Sequence, residues 1–396
     1  MKEFKTIIEE YRNIDATTKK AALATVVKVR GSSYRSPGAR MLITDDGKWV
    51  GSISGGCLEG DALRKARQVI STGVAMTVTY DTREESNQNL GIGLGCNGVI
   101  DVLIEPLDPG KKHDPIKLFS DVIGTNQPVV LATVFDQHAP EGENLIAAKF
   151  LLTNTGDAIF DGYPDELSKA VKKDALKLFE TKKSEVKSYG VYEIFVELIQ
   201  PGISLIIFGG GFDARPVSAL AKSLGWNVSV TDECVAHIAP VFFPAADKLS
   251  LCDRTFVDRD FTITPYTACV LMSHNYEYDR DVLKKLLNTR TPYIGILGPR
   301  KRFDKMQEEF KETGLEISKS DLRKIHSPIG LDIGAETPDE IALSIISEIQ
   351  GKFSSRSGGH LKYREGPIHE RDLNSDQVFK QVYLGSEEKS ASKSAG

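Results

Sequence analysis

The run ISLIIFGGGFDARPVSALAKSLGWNVSVTDE, residues 203–233, leaves the second half of this chain little choice of fold. ISLIIF is a continuous apolar strand of the kind buried on both faces of a parallel sheet. Behind it, Gly209, Gly211 and Ala214 fit the G-x-G-x-x-G/A pattern where that strand turns into a helix over residues 213–224. WNVSVTDE then supplies a second strand ending in Asp232, 23 residues after Gly209, where an acid that binds a nucleotide ribose belongs. The glycines alone are weak evidence. Strand before, helix after and acid at this distance together predict a Rossmann-like, doubly wound parallel sheet. TACVLMSH (267–274) and PYIGILG (292–298) continue it, and Ser273 and His274 fall at the carboxyl end of a strand, where open α/β sheets bind ligands. Arg300, Lys301 and Arg302 open the next helix against the preference of its dipole, which favours a phosphate site. A long amphipathic helix after Thr337 and Pro338 closes the domain. Such a turn does not name its ligand: NAD(P), another nucleotide or a lone phosphate all remain open.

A break at Pro201 and Gly202 separates this domain, residues 201–350, from a mixed α/β domain over residues 1–200. Inside the latter, residues 128–200 read as a worn copy of residues 21–107. ALATVVKV parallels VLATVFDQ, ARMLITDDGKWVG parallels AKFLLTNTGDAIFDG, and IDVLIEPL parallels YEIFVELI. The shared parts are strands and a helix, so they carry the fold. The parts found in only one copy are the candidate site: GSSYRSPGAR (31–40), GSISGGCLEGD (51–61) and GLGCNG (93–98).

GSSYRSPGAR has the composition of a turn with exposed backbone N–H groups. After it, MLIT, a DDG turn and WVGSI form a hairpin that delivers Ser54, Gly55, Gly56, Cys57 and Glu59 to the start of a helix running to Thr72 and Gly73. A glycine-rich helix start is expected to leave N–H donors free for an anionic ligand and to make Cys57 more thiolate-like. The alternative for Cys57 is a small buried side chain where strand and helix pack closely. Glu59 reads as orienting a neighbouring N–H, as capping the helix, or as a plain first-turn acid. Cys57 and Cys96 sit in two glycine-rich turns of one unit and are expected to face one cleft.

The 396 residues are ample for two or three domains, and the net charge of −5 gives no support for a nucleic-acid partner. No apolar run is long enough to span a bilayer, and the charged opening MKEFKTIIEEYRNID does not resemble a signal peptide. Five scattered cysteines with no CxxC pair argue against a zinc site and against a secreted disulfide framework. The expectation is a cytoplasmic protein. Residues 351–396 are a polar extension whose end reads as disordered.

GSSYRSPGARMLI, GSISGGCLEGD, GLGCNG, FGGGFDARP, SHNYEYD, GILGPRKR and PIGLDIGAETPDEIALSIISEI together resemble the xanthine dehydrogenase accessory factor family, XdhC/CoxI, over nearly all of residues 1–350. The resemblance implies a non-catalytic or semi-catalytic role, that of a cofactor-binding and insertion chaperone more than of an enzyme. Such a protein holds molybdenum cofactor (molybdopterin) and hands it to a molybdenum hydroxylase of the xanthine dehydrogenase type. It further implies sulfuration at molybdenum with a cysteine-desulfurase-like partner, and a homodimer. Cys57 and Cys96 match the family's glycine-flanked cysteines, and Gly209, Gly211 and Ala214 match its Rossmann turn. His274 and Asp279 match its T-H-D-x-x-x-D segment, with Asn275 standing for the usual Asp. Asp232 is followed by Glu233, Cys234 and Val235, where the family often has an Arg.

Consistent with that reading, the cofactor is anionic and sulfur-rich. Gly55, Gly56, Arg35 and Arg40 are the candidates for holding its charge, and the thiols of Cys57 and Cys96 for contacting molybdenum. Two other readings stay open. One is an NAD(P)-dependent oxidoreductase with His274, and with Asp279 nearby, in an acid/base role. The other is a Rossmann domain that serves only as a platform.

Overall fold

The computed structural model describes residues 1–15, 17–82, 98–110, 114–124, 127–138 and 144–365. It divides into two compact units, Glu3–Pro201, and Gly202–Arg364 together with Met1–Lys2.

The first unit opens with α1 (Lys2–Arg12) and continues through β1 (Ala21–Gly31), β2 (Arg40–Thr44), β3 (Trp49–Gly51), α2 (Glu59–Thr72), β4 (Met76–Asp81) and β5 (Gly98–Leu107). After α3 (Pro115–Gly124) come β6 (Val129–Gln137), β7 (Lys149–Thr153), β8 (Ala158–Asp161), α4 (Asp165–Thr181), β9 (Glu185–Tyr189) and β10 (Tyr192–Ile199). The strands form two five-stranded antiparallel sheets in the same order, β3-β2-β1-β5-β4 and β8-β7-β6-β10-β9. Period-two alternation explains the layering. Ala22, Ala24 and Val26 of β1 pack with Ala62, Ala66 and Val69 of α2, whereas Ala21 and Leu23 join Leu131, Leu151 and Ile199 of the second sheet. Val130, Ala132 and Val134 of β6 face Val171, Ala175 and Leu178 of α4. Both sheets are therefore covered on both faces, which is why their central strands carry long apolar runs rather than strict alternation with polar residues.

Two buried ion pairs cross between the sheets at matching places. Arg40 opens β2 opposite Thr25, and Lys149 opens β7 opposite Thr133. The Arg40 guanidinium grips the Glu197 carboxylate of β10 with both terminal nitrogens and lies 4.6 Å from the ring centres of Phe4 and Phe119. Lys149 Nζ donates to Glu105 of β5 and to the Ala147 carbonyl. Removing one partner of such a pair strands a charge in the core and typically costs about 3–5 kcal/mol.

The second unit holds β11 (Ser204–Phe208), α5 (Ala214–Ser223), β12 (Asn227–Asp232), β13 (Lys248–Leu251), α6 (Val257–Asp260), β14 (Thr267–Leu271) and α7 (Tyr276–Leu286). It continues with β15 (Tyr293–Ile296), α8 (Arg300–Glu312), α9 (Lys319–Leu322), β16 (Ile325–His326) and α10 (Pro338–Phe353). Its six strands are all parallel, in the order β13-β12-β11-β14-β15-β16. This is the doubly wound Rossmann arrangement that the sequence predicts, with its change of winding direction between β11 and β14. Thr337 and Glu340 form a reciprocal capping box at the start of α10, as T-P-D-E suggests. Among the described residues no helix is long and apolar enough to cross a membrane.

Candidate functional site

The segment between β3 and α2 is built around one carboxylate. Glu59, the first residue of α2, turns back into the SISGGCL loop. Its Oε1 accepts from Ser52 Oγ at 2.8 Å and from the backbone N–H groups of Ile53 (3.2 Å), Ser54 (2.9 Å) and Gly55 (3.2 Å). Its Oε2 accepts from the N–H of Gly56 at 2.9 Å and of Leu58 at 3.1 Å, and from the Ser54 hydroxyl. Ser54 Oγ in turn accepts from the N–H groups of Cys57 (3.0 Å) and Leu58 (2.9 Å). The donors expected to be free for an external anion are thus taken by the protein's own carboxylate, and the prediction of an open anion seat at this helix start is corrected. Burial alone would push the Glu59 pKa up, but the Ser54 and Ser52 hydroxyls and the backbone N–H groups outweigh it and hold the carboxyl down at about 2. The chain can close this tightly because Gly55 and Gly56 take φ of +92° and +122°, open to glycine and strained for other residues.

What the loop presents is Cys57, half-buried immediately before the first helical turn. It packs against the core that includes Ala62, Ala66 and Val69. A Cβ placed on Gly56, the residue before it, would meet no atom within 4 Å outside its chain neighbours. The loop at residues 31–40 lies against the same turn: a Cβ on Gly55 would come within 2.7 Å of Tyr34 Cδ1. Gly98, the last residue of GLGCNG, pairs with Gly31 and passes so close to the Ser32 carbonyl that a Cβ would stand 2.3 Å from its oxygen. Cys96 lies outside the described residues. The two candidate arginines are committed elsewhere. Arg35 pairs with Glu3 of α1, whose other oxygen accepts from the Ser52 N–H, and Arg40 is buried between the sheets on Glu197. They brace the loops rather than present charge to a ligand.

The Rossmann turn is also occupied from within. Asp232 is buried and points into the turn, not away from the sheet: Oδ2 accepts from the Gly210 N–H at 2.8 Å and lies 3.1 Å from His237 Nδ1, while Oδ1 accepts from the Cys234 N–H at 2.8 Å. A Cβ on Gly209 would stand 2.4 Å from Ser273 Cα, and one on Gly210 would stand 2.6 Å from the His237 carbonyl oxygen. Gly211 faces Asp213 and the His274 ring, and Ala214 is fully buried at the start of α5. His274, at φ +59°, places Nε2 2.9 Å from Asp213 Oδ2 and remains largely exposed. Asp279 is buried beneath it, accepting from Ser273 Oγ at 2.6 Å and Arg302 at 2.7 Å. Burial raises its carboxyl pKa, and these bonds only partly offset the rise. Arg302 therefore leaves the basic cluster at the start of α8 to neutralise Asp279, which removes it from the expected phosphate site.

Of the remaining thiols, Cys252 and Cys269 are buried, with burial pushing each up to about 12, which makes them inert, while Cys234 is exposed beside Asp232. Among the described residues no group of His, Cys, Asp and Glu is arranged to hold a metal ion. Glu59 is marked by the sequence, its cradle is not. The available signal was two serines and two glycines within seven residues ahead of a first-turn acid.

These features have counterparts in known proteins. The pattern of the XdhC and CoxI family matches residues 15–81, and that of the XdhC Rossmann domain matches residues 205–349. A Bacillus subtilis protein, named as a probable subunit of xanthine dehydrogenase, is 30% identical over 329 residues, 83% of this chain and 92% of that protein. The molybdenum cofactor insertion chaperone PaoD of Escherichia coli is 23% identical over 331 residues, 84% of this chain and 83% of its own. A crystal structure from Bacillus halodurans, described as a xanthine dehydrogenase, superposes with a TM-score of 0.71 at 27% identity, covering 92% of this chain and 98% of that one. With a cysteine-bearing glycine turn ahead of a parallel six-stranded Rossmann sheet, and with relatives matched along nearly their whole length, this chain belongs to the XdhC/CoxI family.

Proposed function

We propose that the protein binds molybdenum cofactor as cargo and delivers it to a molybdenum hydroxylase of the xanthine dehydrogenase type. The observation that carries this reading is the placement of Cys57. A soft sulfur sits half-buried just before the first turn of α2, on a loop whose backbone N–H groups Glu59 gathers. A thiolate is a fitting contact for a sulfur-ligated molybdenum centre, and a preorganised loop offers it at little cost in ordering on binding. The names of the Bacillus subtilis and Escherichia coli relatives point the same way. Glu59 fills the anion seat of the turn, so the phosphate end of the cargo must lie elsewhere, and Cys57 addresses the molybdenum end. While the cargo is held there, its molybdenum is accessible to a cysteine-desulfurase-like sulfur donor before transfer.

A redox role using NAD(P) is disfavoured by the Rossmann turn itself, where the Gly210 N–H that would meet a pyrophosphate is bonded to Asp232. Turnover of reduced nicotinamide would reverse that judgement. The carrier reading is tested by incubating cofactor-loaded protein with cofactor-free xanthine dehydrogenase. Activity should appear in the dehydrogenase as molybdenum leaves the carrier, and no transfer above that from free cofactor would refute the reading.

A further inference from the structure

We infer that Tyr34 is a stacking platform for the flat pyrimidine ring of the pterin, a role that rests on the carrier reading above. Tyr34 stands in the GSSYRSPG loop with 67% of its surface exposed, although the Ser33 before it is buried. Exposure of one aromatic residue is ordinary by itself. Its position is what singles it out. The Cγ–Cδ1–Cε1 side of the ring lies directly on Gly55, so closely that a Cβ there would stand 2.7 Å from Cδ1, 2.9 Å from Cε1 and 3.3 Å from Cγ. Gly55 is thus fixed twice, by its φ of +92° and by the ring, and Tyr34 is docked on the turn that carries Cys57 two residues later.

A third residue ties the two loops together. Glu3 binds Arg35 of the tyrosine loop with one carboxylate oxygen and the Ser52 N–H of the cysteine loop with the other. The loop of Tyr34 and the loop of Cys57 are therefore held to one frame. A ligand with sulfur-bound metal at one end and a flat heteroaromatic ring at the other matches a thiol and an exposed aromatic ring carried on two loops tied to each other. An exposed aromatic ring stacks on such heterocycles without needing directional hydrogen bonds, and alanine substitution at such platforms typically weakens binding about tenfold or more.

The test is a titration of the full chain with molybdopterin, comparing wild type with Tyr34→Ala, Tyr34→Leu and Tyr34→Phe. Iodoacetamide labelling of Cys57 reports in parallel on the cysteine loop. Affinity should fall about tenfold in the Ala and Leu variants and stay within about twofold in the Phe variant, with Cys57 labelling unchanged throughout. The Leu variant preserves apolar cover over Gly55, so a merely structural tyrosine would leave its affinity intact. Wild-type affinity in the Leu variant, or an equal loss in the Phe variant, overturns the platform while leaving the carrier reading standing. Failure of the wild type to bind molybdopterin removes both.

Discussion

The turn at SGGC and the turn at GGGF each contain adjacent glycines before a helix, and each is filled by a carboxylate of its own chain. Glu59 gathers the N–H groups of Ile53, Ser54, Gly55, Gly56 and Leu58, and Asp232 gathers those of Gly210 and Cys234. They differ in what surrounds the glycines. At GGGF the chain itself makes the close approaches, with Ser273 against Gly209 and His237 against Gly210. At SGGC the carboxylate fills one side of the turn and Tyr34 lies on Gly55, while the Cβ direction of Gly56 is left open. A glycine-rich helix start is thus evidence of close approach, and only the structure says whether ligand or protein does the approaching. Here the Rossmann turn is braced from within, and the cysteine turn is braced by Glu59 and Tyr34 with room left at Gly56.

The largest effect that would break this comparison is at Gly209. Gly209→Val should destabilise the Rossmann unit by more than about 4 kcal/mol, because the new side chain meets backbone at Ser273 and the residue sits at φ +114°. Loss of that unit's cooperative thermal transition would show it, and a wild-type transition would mean that the turn has room for a ligand after all. Next comes Glu59→Gln, which puts an amide where a carboxylate accepts from a ring of donors. A carboxyl held at about 2 in the fold against 4.5 in the unfolded chain corresponds to on the order of 3 kcal/mol at neutral pH. Because the folded-state pKa is the lower one, this contribution is complete above pH 4.5 and disappears as the pH falls through 2. Urea unfolding at about pH 7 and about pH 3 should therefore show the gap between wild type and variant narrowing in acid, and a gap independent of pH would show that Glu59 is not the charged centre of the loop. The smallest effect is expected at Gly56, where Ala meets no neighbour and only the backbone strain of about 1–3 kcal/mol opposes it. A Gly56→Ala cost rivalling that of Gly209→Val would erase the distinction between the two turns.

Much of the scaffold was legible because local rules and tertiary packing agree. The α2 helix stops at Thr72 with Gly73 in the left-handed conformation, where the apolar spacing ends at a glycine. The Rossmann sheet follows from one buried apolar strand, a glycine turn and an acid at a fixed distance. Distance along a chain does not give direction, however. Asp232 stands at the expected position but faces the turn it was expected to serve from outside. Arg40 and Glu197, 157 residues apart, meet only because two sheets pack face to face, which single-strand periodicity cannot reveal. The basic start of α8 misled for the same reason, since Asp279, which claims Arg302, comes from another helix.

The most direct test of the account is the molybdenum and pterin content of the protein purified from a cofactor-producing host, with Cys57→Ala and Cys234→Ala alongside. Cys234 is the exposed thiol beside the filled Rossmann turn, and Cys57 the half-buried one just before α2. The account predicts cofactor on the wild type and on Cys234→Ala, and little or none on Cys57→Ala. Equal retention by the two variants would contradict it.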